Sequence, residues 1–472
     1  MKNHFNHSQL KREVGLSSAT LLVIANMVGT GIFTTSGFVM KELGDPLTML
    51  LCWLVGGIFA LSGALCYGEL GAMFPRAGGE YVFLRESFGK SVAFLSGWIS
   101  LIVGFSAPIA AAAIAFATYT SCVIPGMGKS SAFIVSMGDF PILTLSPVTV
   151  LASLMILIFS FIHYHSLALG TRVQNGLTLF KIGFLVFFIA AGFCVSREPV
   201  QHFVAGGAGK SLFGESFAIA LIFVSFAYSG WNAATYLGGE IEKPGRNIPV
   251  ALCAGAVAVT GLYLLLNMVF IQTLSPEKMT GAIDVGAQSA MSLFGDTVGR
   301  YFGGVIAIGL LSVLSAMIMT GPRVYYAMSR DGMFFKLFGK TSSLRRTPAY
   351  SIFFQGTVSV LMVLTASFEN LLLYIGFTLS FSAMLTVIGM VKLRFTRTMI
   401  ERPCKTFGYP VTPVLFIAGN LWIIFFSITS RPVTSFYGLV TIATGLLLYA
   451  YFSYKRKMEA PLPCILKKGE TM

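Results

Sequence analysis

Twelve apolar stretches, each long enough to cross a lipid bilayer, set the strongest limit on what this chain can fold into. About 20 consecutive apolar residues span a bilayer as a helix, and 55% of the 472 residues are hydrophobic while only 11% are charged. An ordinary soluble domain carries about 25% charged residues. The sequence therefore predicts an all-α integral membrane protein with twelve transmembrane helices, at 17–43, 46–72, 91–118, 144–164, 175–196, 213–239, 249–274, 298–328, 348–367, 370–393, 411–430 and 433–454.

The distribution of basic residues predicts the orientation of the chain. An even number of spans puts both termini on one side, and Lys and Arg concentrate on the cytoplasmic side of a membrane. We expect both termini in the cytoplasm and the protein in the cytoplasmic membrane. The net charge of +14 is then a signal of topology rather than of nucleic-acid binding. With this orientation only seven of the 33 Lys and Arg residues lie outside, namely Lys41, Lys129, Arg197, Lys210, Lys278, Arg300 and Arg431.

Two of the stretches carry small residues where an uninterrupted membrane helix would carry Leu, Ile or Val. The first contains Gly29-Thr30-Gly31 and the sixth contains Ser229-Gly230. Glycine leaves the helical conformation easily, and a break at bilayer depth is tolerated only where the freed backbone groups line a cavity. Two broken helices in corresponding places of two chain halves indicate the binding site of a secondary transporter.

The spacing of the two breaks predicts an internal repeat. If helices 1 and 6 are equivalent, each repeat holds five helices, and the odd number inverts the second repeat in the membrane. The alternative is two halves of six helices, but the 249–274 stretch has no comparable central pair of glycines. The predicted organisation is a cytoplasmic segment 1–13, a first repeat 14–200, an inverted second repeat 201–395, and helices 11 and 12 with a cytoplasmic C-terminus in 396–472.

A broken helix 1 could hold both charged groups of an amino acid. The N–H groups that begin its second half form an anion site suited to a carboxylate, and the carbonyl groups that end its first half can accept hydrogen bonds from an ammonium. The competing interpretation is that the small residues only let neighbouring helices pack closely. In the sixth stretch, aromatic residues such as Phe226 either close over a substrate or are ordinary residues of the membrane core.

Lys181 is a basic residue inside the fifth stretch. Such residues are rare and indicate a functional role with a specific partner. The candidate partners are carbonyl groups at the helix 1 break and the hydroxyl groups of Ser312 and Ser315 on helix 8. The alternative is that the lysine extends to the membrane interface. His163 and His165 end the fourth stretch without Cys, Asp or Glu at ligand spacing, so we interpret them as solvated interface residues.

Other site chemistries are disfavoured by the sequence. Gly-Lys-Ser occurs three times, at 89–91, 128–130 and 209–211, but the glycine that a phosphate-binding loop needs five residues earlier is absent each time. The seven cysteines predict no disulfide framework. Acidic residues such as Glu69, Glu240 and Glu369 lie at the ends of spans, and we expect no carboxylate at the midplane. We therefore expect no metal, no cofactor and no enzymatic activity.

Several sequence blocks in order resemble the amino acid–polyamine–organocation superfamily. The resemblance is closest to its L-type amino-acid transporter branch and to bacterial serine/threonine exchangers, and it runs from about residue 12 to 454. It implies a LeuT-type fold, with a 5+5 inverted repeat and discontinuous helices 1 and 6, and alternating access by rocking of helices 1, 2, 6 and 7. The blocks are GTGIF at 29–33, GALCYGELG at 63–71, GGEY at 78–81, TRVQN at 171–175, FAYSGWN at 226–232 and ERP at 401–403.

The resemblance also implies roles for individual residues. Lys181 corresponds to a lysine of helix 5 that takes the place of a sodium ion in sodium-coupled relatives, which implies sodium-independent transport. Small residues of helix 3 are expected to line the pocket, namely Ala107, Ala110, Ala111 and Ala112. The substrate carboxylate is expected at the backbone of Gly29, Thr30 and Gly31, and its amino group at the carbonyls of Met27, Phe226, Ala227 and Ser229, with the Phe226 ring as a gate.

The sequence departs from the animal L-type carriers in two places. The third span reads SLIVGFSAPI at 100–109 where those carriers have Glu and Arg, and Cys122 comes too early to match the cysteine that tethers them to a heavy chain. We therefore expect a bacterial carrier that needs no heavy-chain subunit.

The predicted function is sodium-independent transport, by exchange, of neutral L-amino acids. A zwitterion can be held by backbone groups alone, whereas a cationic side chain would need a pocket carboxylate. A cationic amino-acid or polyamine antiporter is the alternative within the same class. An amino-acid-sensing membrane receptor is the alternative from another class, and an intramembrane enzyme is disfavoured because no catalytic residue pair is present.

Overall fold

The computed structural model describes residues 12–124, 127, 133–137, 140–195, 214–282, 284–341, 347–365, 368–430 and 432–459. Within these residues, every predicted stretch corresponds to one helix or to two or three consecutive helical segments. These are helix 1a (Leu16–Met27), helix 1b (Thr30–Leu43), helix 2 (Pro46–Met73), helix 3 (Lys90–Ile99, Ser100–Ser106 and Ala107–Val123), helix 4 (Pro147–His165), helix 5 (Leu167–Val195), helix 6a (Glu215–Tyr228), helix 6b (Ala233–Tyr236), helix 7 (Pro244–Thr273), helix 8 (Asp296–Thr320 and Pro322–Arg330), helix 9 (Ala349–Thr365), helix 10 (Phe368–Thr396), helix 11 (Val411–Ser430) and helix 12 (Pro432–Glu459).

The lengths and apolar character of these helices confirm a multi-span membrane protein. Among the described residues, eight helices can each cross a membrane, and helices 1a and 1b together form a ninth span that is bent by 40°. The three remaining predicted spans are shorter apolar helices, namely helix 6a, helix 9 and the segment Gly438–Tyr454 of helix 12. Helix 6a is short because the span is interrupted after Tyr228.

Helices 1 and 6 are both discontinuous, as the small residues predicted. Helix 1a ends at Met27 and helix 1b begins at Thr30, so the break lies at Val28-Gly29, slightly earlier than expected. Thr30 and Gly31 are already the first helical residues of 1b. The break in helix 6 follows Tyr228, and Gly230 has φ +96°, a conformation that favours glycine. The five-helix spacing between the two breaks is that of the LeuT-type inverted repeat.

Three local features add to the twelve helices, namely a short helix, a β-hairpin and a distorted segment of helix 3. A short helix, Val285–Phe294, lies between helices 7 and 8. Strands β1 (Phe133–Met137) and β2 (Phe140–Leu145) form an antiparallel hairpin after helix 3, which the sequence analysis did not predict. In the middle of helix 3, Ser100–Ser106 is π-helical, a distortion that often occurs at functional sites.

Packing separates the interior of the bundle from its lipid-facing surface. Helix 7 packs along helices 1a and 2, and helix 8 packs along helix 3. The alanines of helix 3 let helix 8 approach closely, since 107–113 are almost entirely buried. Large apolar side chains on the outer helices are exposed, as expected for a surface covered by lipid rather than water. Examples are Leu154, Leu157, Phe161, Phe187, Phe425 and Leu447.

The predicted boundaries of the repeats stay predictions. The boundary at 200–201 falls outside the described residues, and so do residues 1–11 of the predicted segment 1–13 and residues 460–472 of the predicted segment 396–472.

Candidate functional site

The break in helix 1 exposes the first N–H groups of helix 1b. The first four N–H groups of any helix lack a partner within it. Gly29 precedes helix 1b and offers no side chain that could accept from them. These N–H groups point toward the break, where the positive end of the helix dipole favours negative charge.

The two breaks lie directly against each other. A Cβ atom added to Gly31 would lie 2.5 Å from the Ala227 Cα atom at the end of helix 6a. One added to Gly230 would lie 2.8 Å from the carbonyl carbon and oxygen of Asn26 at the end of helix 1a. Such distances exclude any side chain larger than hydrogen unless the backbone moves. Close packing is thus a physical reason for glycine at both positions.

Gly29 differs from Gly31 because it has room. A Cβ atom at Gly29 would lie 3.4 Å from the Val313 side chain and 3.9 Å from the Met27 carbonyl oxygen, which are ordinary van der Waals contacts, and the residue has an extended backbone with φ −132°. Packing alone therefore gives no strong reason for glycine at this position. The close-packing interpretation considered for the 29–31 run applies to Gly31 and not to Gly29.

A small cavity lies between the two breaks. All seven residues predicted to contact substrate line it, together with Ala111 and Ala112 of helix 3. The predicted pocket residues Ala107 and Ala110 are fully buried and line neither this cavity nor the larger one described below, so their role in the pocket stays a prediction. The lining residues are Asn26, Met27, Gly29, Thr30, Gly31, Pro108, Ala111, Ala112, Phe226, Ala227, Ser229, Val313 and Met317.

Tyr263 of helix 7 joins the two breaks, and the sequence analysis missed it. Its hydroxyl group lies 2.7 Å from the Met27 carbonyl oxygen and 2.9 Å from the Ala227 carbonyl oxygen. A single O–H group donates to only one of these oxygens at a time. The tyrosine hydroxyl can therefore alternate between the carbonyl groups that end helices 1a and 6a. The ring is buried against Trp53 and Tyr228. A tyrosine in an apolar helix gives no sequence signal that would distinguish this role.

Lys181 is buried in the bundle and does not reach the membrane interface. Its side chain is 1% exposed, and its ammonium group donates to the carbonyl oxygens of Ala25, at 3.3 Å, and of Val28. These are the carbonyl groups at the end of helix 1a, the partners that the sequence analysis proposed first. Lys181 therefore ties helix 5 to the helix 1 break.

The two serines of helix 8 do not complete this cluster as predicted. Ser315 lies 2.8 Å from the ring nitrogen Nε2 of His163, which is fully buried rather than solvated at the interface. His165 is exposed, as expected. Ser312 is buried and its hydroxyl group has no hydrogen-bond partner among the described residues.

A larger cavity adjoins the small one and contains a carboxylate. The two cavities share Asn26, Pro108, Ser229 and Met317, and the larger has a volume of about 940 Å³, which includes space open to solvent. Glu80 lines it. Glu80 is the first residue of the short helix Glu80–Phe88, which follows helix 2. The expectation that no carboxylate lies at the membrane midplane stays a prediction.

Buried ion pairs fasten the ends of the helices. Arg323 of helix 8 makes two hydrogen bonds to the Glu240 carboxylate, at 2.9 and 3.0 Å, and neither side chain is more than 2% exposed. Glu240 lies four residues after the end of helix 6b, and its carbonyl oxygen accepts from the backbone N–H of Val14. Glu69 of helix 2 pairs in the same way with Arg394 of helix 10. Glu69 and Glu240, two of the acidic residues at the ends of spans, are therefore structural anchors.

A bundle of apolar helices, two of them broken and facing each other across a cavity, defines a membrane transporter. The chain belongs to the amino acid permease family, whose sequence profile matches residues 14–452. It is accordingly a transporter and not an enzyme.

The chain is similar to two kinds of mammalian protein along most of its length. It is 29% identical to the b(0,+)-type amino acid transporter 1 of Mus musculus over 453 residues, which are 95% of this chain and 89% of the relative. The same protein of Homo sapiens is 29% identical, with 96% and 92% covered. The large neutral amino acids transporter small subunit 2 of Homo sapiens is 27% identical, with 95% and 82% covered.

Proposed function

We propose that the chain exchanges neutral L-amino acids across the cytoplasmic membrane without sodium. The observation that carries the proposal is the small cavity, where free N–H groups of one half-helix and carbonyl groups of two others meet. The carboxylate of a substrate would accept from the N–H groups at the start of helix 1b. This interaction combines hydrogen bonds with the favourable end of the helix dipole.

The ammonium group of the substrate would donate to carbonyl groups at the ends of helices 1a and 6a. The Met27 and Ala227 carbonyl oxygens already accept from Tyr263, but a carbonyl oxygen has two lone pairs and can accept once more. The Phe226 carbonyl oxygen accepts from the Ser229 N–H group and has the same spare capacity. Both charged groups of an amino acid thus find complementary backbone within one cavity.

Sodium independence is supported by Lys181. The carbonyl groups that end helix 1a carry partial negative charge, and a cation is favourable there. The Lys181 ammonium group supplies that cation, so the site needs no bound sodium ion to neutralise these carbonyl groups.

Neutral substrates are supported by the lining of the small cavity. No acidic or basic side chain lines it among the described residues. A cationic substrate is the second candidate, and the single observation in its favour is Glu80 in the adjoining cavity. We prefer the neutral class because three hydrogen bonds from the protein already engage the Glu80 carboxylate.

We propose that both termini are cytoplasmic and that the chain transports without a second subunit. The orientation rests on the Lys and Arg distribution. Among the relatives, the large neutral amino acids transporter is named a small subunit, which makes it part of a larger assembly. In this chain Cys122 lies in the last turn of helix 3 rather than in the loop that follows.

The test is exchange by the purified protein in liposomes. Labelled L-serine, L-threonine, L-leucine and L-lysine are supplied outside, at two pH values, to liposomes that are empty or loaded with unlabelled neutral amino acid. We expect a neutral substrate to enter loaded liposomes several times faster than empty ones, with no change when choline replaces sodium. Entry of L-lysine alone would favour the cationic candidate, and a requirement for sodium would contradict the proposed role of Lys181.

A further inference from the structure

Glu80 is a buried carboxylate with no basic partner among the described residues. It begins the short helix Glu80–Phe88, which follows helix 2, and is 4% exposed. Its Oε1 atom accepts from the Tyr67 hydroxyl group at 2.7 Å and from the Asn232 side-chain amide at 2.8 Å. Its Oε2 atom accepts from the Ser382 hydroxyl group at 2.7 Å. Three neutral donors therefore replace the cation that a buried carboxylate usually requires.

The three donors come from three different helical regions. Tyr67 belongs to helix 2, Asn232 lies in the break of helix 6, and Ser382 lies at the middle of helix 10. The Asn232 side-chain NH₂ group also donates to the Tyr236 hydroxyl group at 3.2 Å, so both of its hydrogens have an acceptor. Asn232 lies three residues after Ser229, which lines both cavities.

The backbone fixes Glu80 to helix 6b independently of its side chain. The N–H group of Gly78 donates to the Tyr236 carbonyl oxygen at 3.1 Å, and Ala77 forms a β-bridge with Leu237. The segment before Glu80 would thus move together with helix 6b. The hydrogen bond from Ser382 is different, because it joins Glu80 to helix 10 rather than to helix 6b.

We propose that Glu80 is a positioning residue that holds the helix 6 break against helix 10 through Ser382, and that this hydrogen bond breaks and re-forms in each transport cycle. The inference rests on the proposed function, in which helices 1, 2, 6 and 7 rock against the rest of the bundle. Tyr67 and Asn232 would move with Glu80, whereas Ser382 would not. Breaking the Ser382 contact leaves one carboxylate oxygen short of a donor in a buried place, so the contact favours the conformation described here.

The central variant is Ser382→Ala, which removes only the contact to helix 10. Equilibrium binding of the exchanged amino acid is measured on detergent-purified protein, and the maximal exchange rate is measured in liposomes. We expect binding within two-fold of wild type and an exchange rate altered by about five-fold or more, the effect of one lost hydrogen bond. A merely structural role would change melting temperature and active fraction but would not separate rate from affinity.

Ser87→Ala is the matched control. Ser87 is buried at the same contact between the short helix and helix 10, since a Cβ atom on Gly389 would lie 2.5 Å from its hydroxyl oxygen. Its hydroxyl group donates to the Phe83 carbonyl oxygen within its own helix and does not reach Glu80. We expect exchange close to wild type in this variant.

Glu80→Gln and Glu80→Ala complete the test. Glutamine keeps an oxygen for Tyr67 and Asn232, and the Ser382 hydroxyl group can turn to accept from its amide. We therefore expect Glu80→Gln to retain more exchange than Glu80→Ala. An unchanged rate in Ser382→Ala, an equal loss in Ser87→Ala, or a loss of affinity that matches the loss of rate would each overturn the proposal. If wild type exchanges no amino acid, the proposed function fails instead.

Discussion

Gly29 and Gly31 are two residues apart, yet the space around them differs, and with it the reason for a glycine at each position. Gly31 lies against the backbone of Ala227, where any Cβ atom would overlap. At Gly29 a Cβ atom would make ordinary van der Waals contact with Val313 and with the Met27 carbonyl oxygen, so packing alone does not require glycine there. Sequence alone showed the run of small residues but could not separate these two causes, because the difference arises from helix 6, about 200 residues later.

Gly29→Ala and Gly31→Ala should therefore give different results. We expect Gly29→Ala to fold normally and to bind substrate at least about ten-fold more weakly, because the methyl group enters the cavity where the carboxylate would lie. Gly31→Ala should lose both binding and stability, since it forces the two breaks apart. Affinity and melting temperature of the purified variants are the measurements. Gly183→Ala on helix 5, with no atom within 4 Å of the added Cβ, is the control, and wild-type affinity in Gly29→Ala would move the carboxylate site elsewhere.

Tyr263→Phe should weaken substrate binding while keeping the fold. The ring stays packed against Trp53 and Tyr228, but the hydroxyl group that serves both breaks is lost. Losing one buried hydrogen bond costs about 1 kcal/mol, or roughly five-fold in affinity. Equilibrium binding checks this, with Tyr350→Phe on the exposed surface of helix 9 as the control. Unchanged affinity would mean that the two half-helices hold their positions without Tyr263.

Lys181→Ala should slow exchange more than it weakens binding. The substitution removes the tie between helix 5 and the end of helix 1a but leaves the N–H groups of helix 1b in place. Affinity and exchange rate are measured on the same preparation, in sodium and in choline. Full exchange activity in this variant would show that the lysine is dispensable for coupling. Activity restored by sodium would instead support its role as a substitute for that ion.

At the scale of helices, apolar length and glycine position predicted most of the architecture. Each of the twelve stretches is helical, and the breaks in helices 1 and 6 lie within two residues of their predicted places. Hydropathy carries this information because a bilayer requires long apolar helices whose backbone N–H and C=O groups are paired within the helix. It carries none about the π-helical part of helix 3 or the hairpin after it, since both depend on packing and on local turns. Ser315 shows the same limit, because its partner His163 belongs to another helix.

The Glu240–Arg323 pair gives a prediction at this scale. Both side chains are buried and joined by two hydrogen bonds. Arg323→Ala leaves an unpaired buried carboxylate, and breaking a buried pair in this way typically costs about 3–5 kcal/mol. We expect a clear drop in melting temperature and in the yield of monodisperse protein, with a partial recovery in Arg323→Lys. A melting temperature equal to wild type would show that helix 8 does not depend on this contact.

For the whole molecule, the sequence predicted which helices meet at the site better than it predicted the side chains around it. The seven residues predicted to contact substrate at the breaks all line one cavity. They do so because the broken ends of helices 1 and 6 lie next to each other in the fold. Tyr263 and Glu80 escaped notice. Their roles depend on helix 7 and on a loop segment approaching the breaks, and neither approach leaves a pattern in the sequence.

The most direct test of the central claim is an electron cryomicroscopy structure of the protein with the fastest-exchanged neutral amino acid bound, in a buffer free of sodium. We predict density for the amino acid in the cavity between the two breaks. Its carboxylate should lie within hydrogen-bond distance of the N–H groups that begin helix 1b, and its ammonium group near the carbonyl oxygens of Met27 and Phe226. An amino acid bound elsewhere, or bound here in the opposite orientation, would contradict the account.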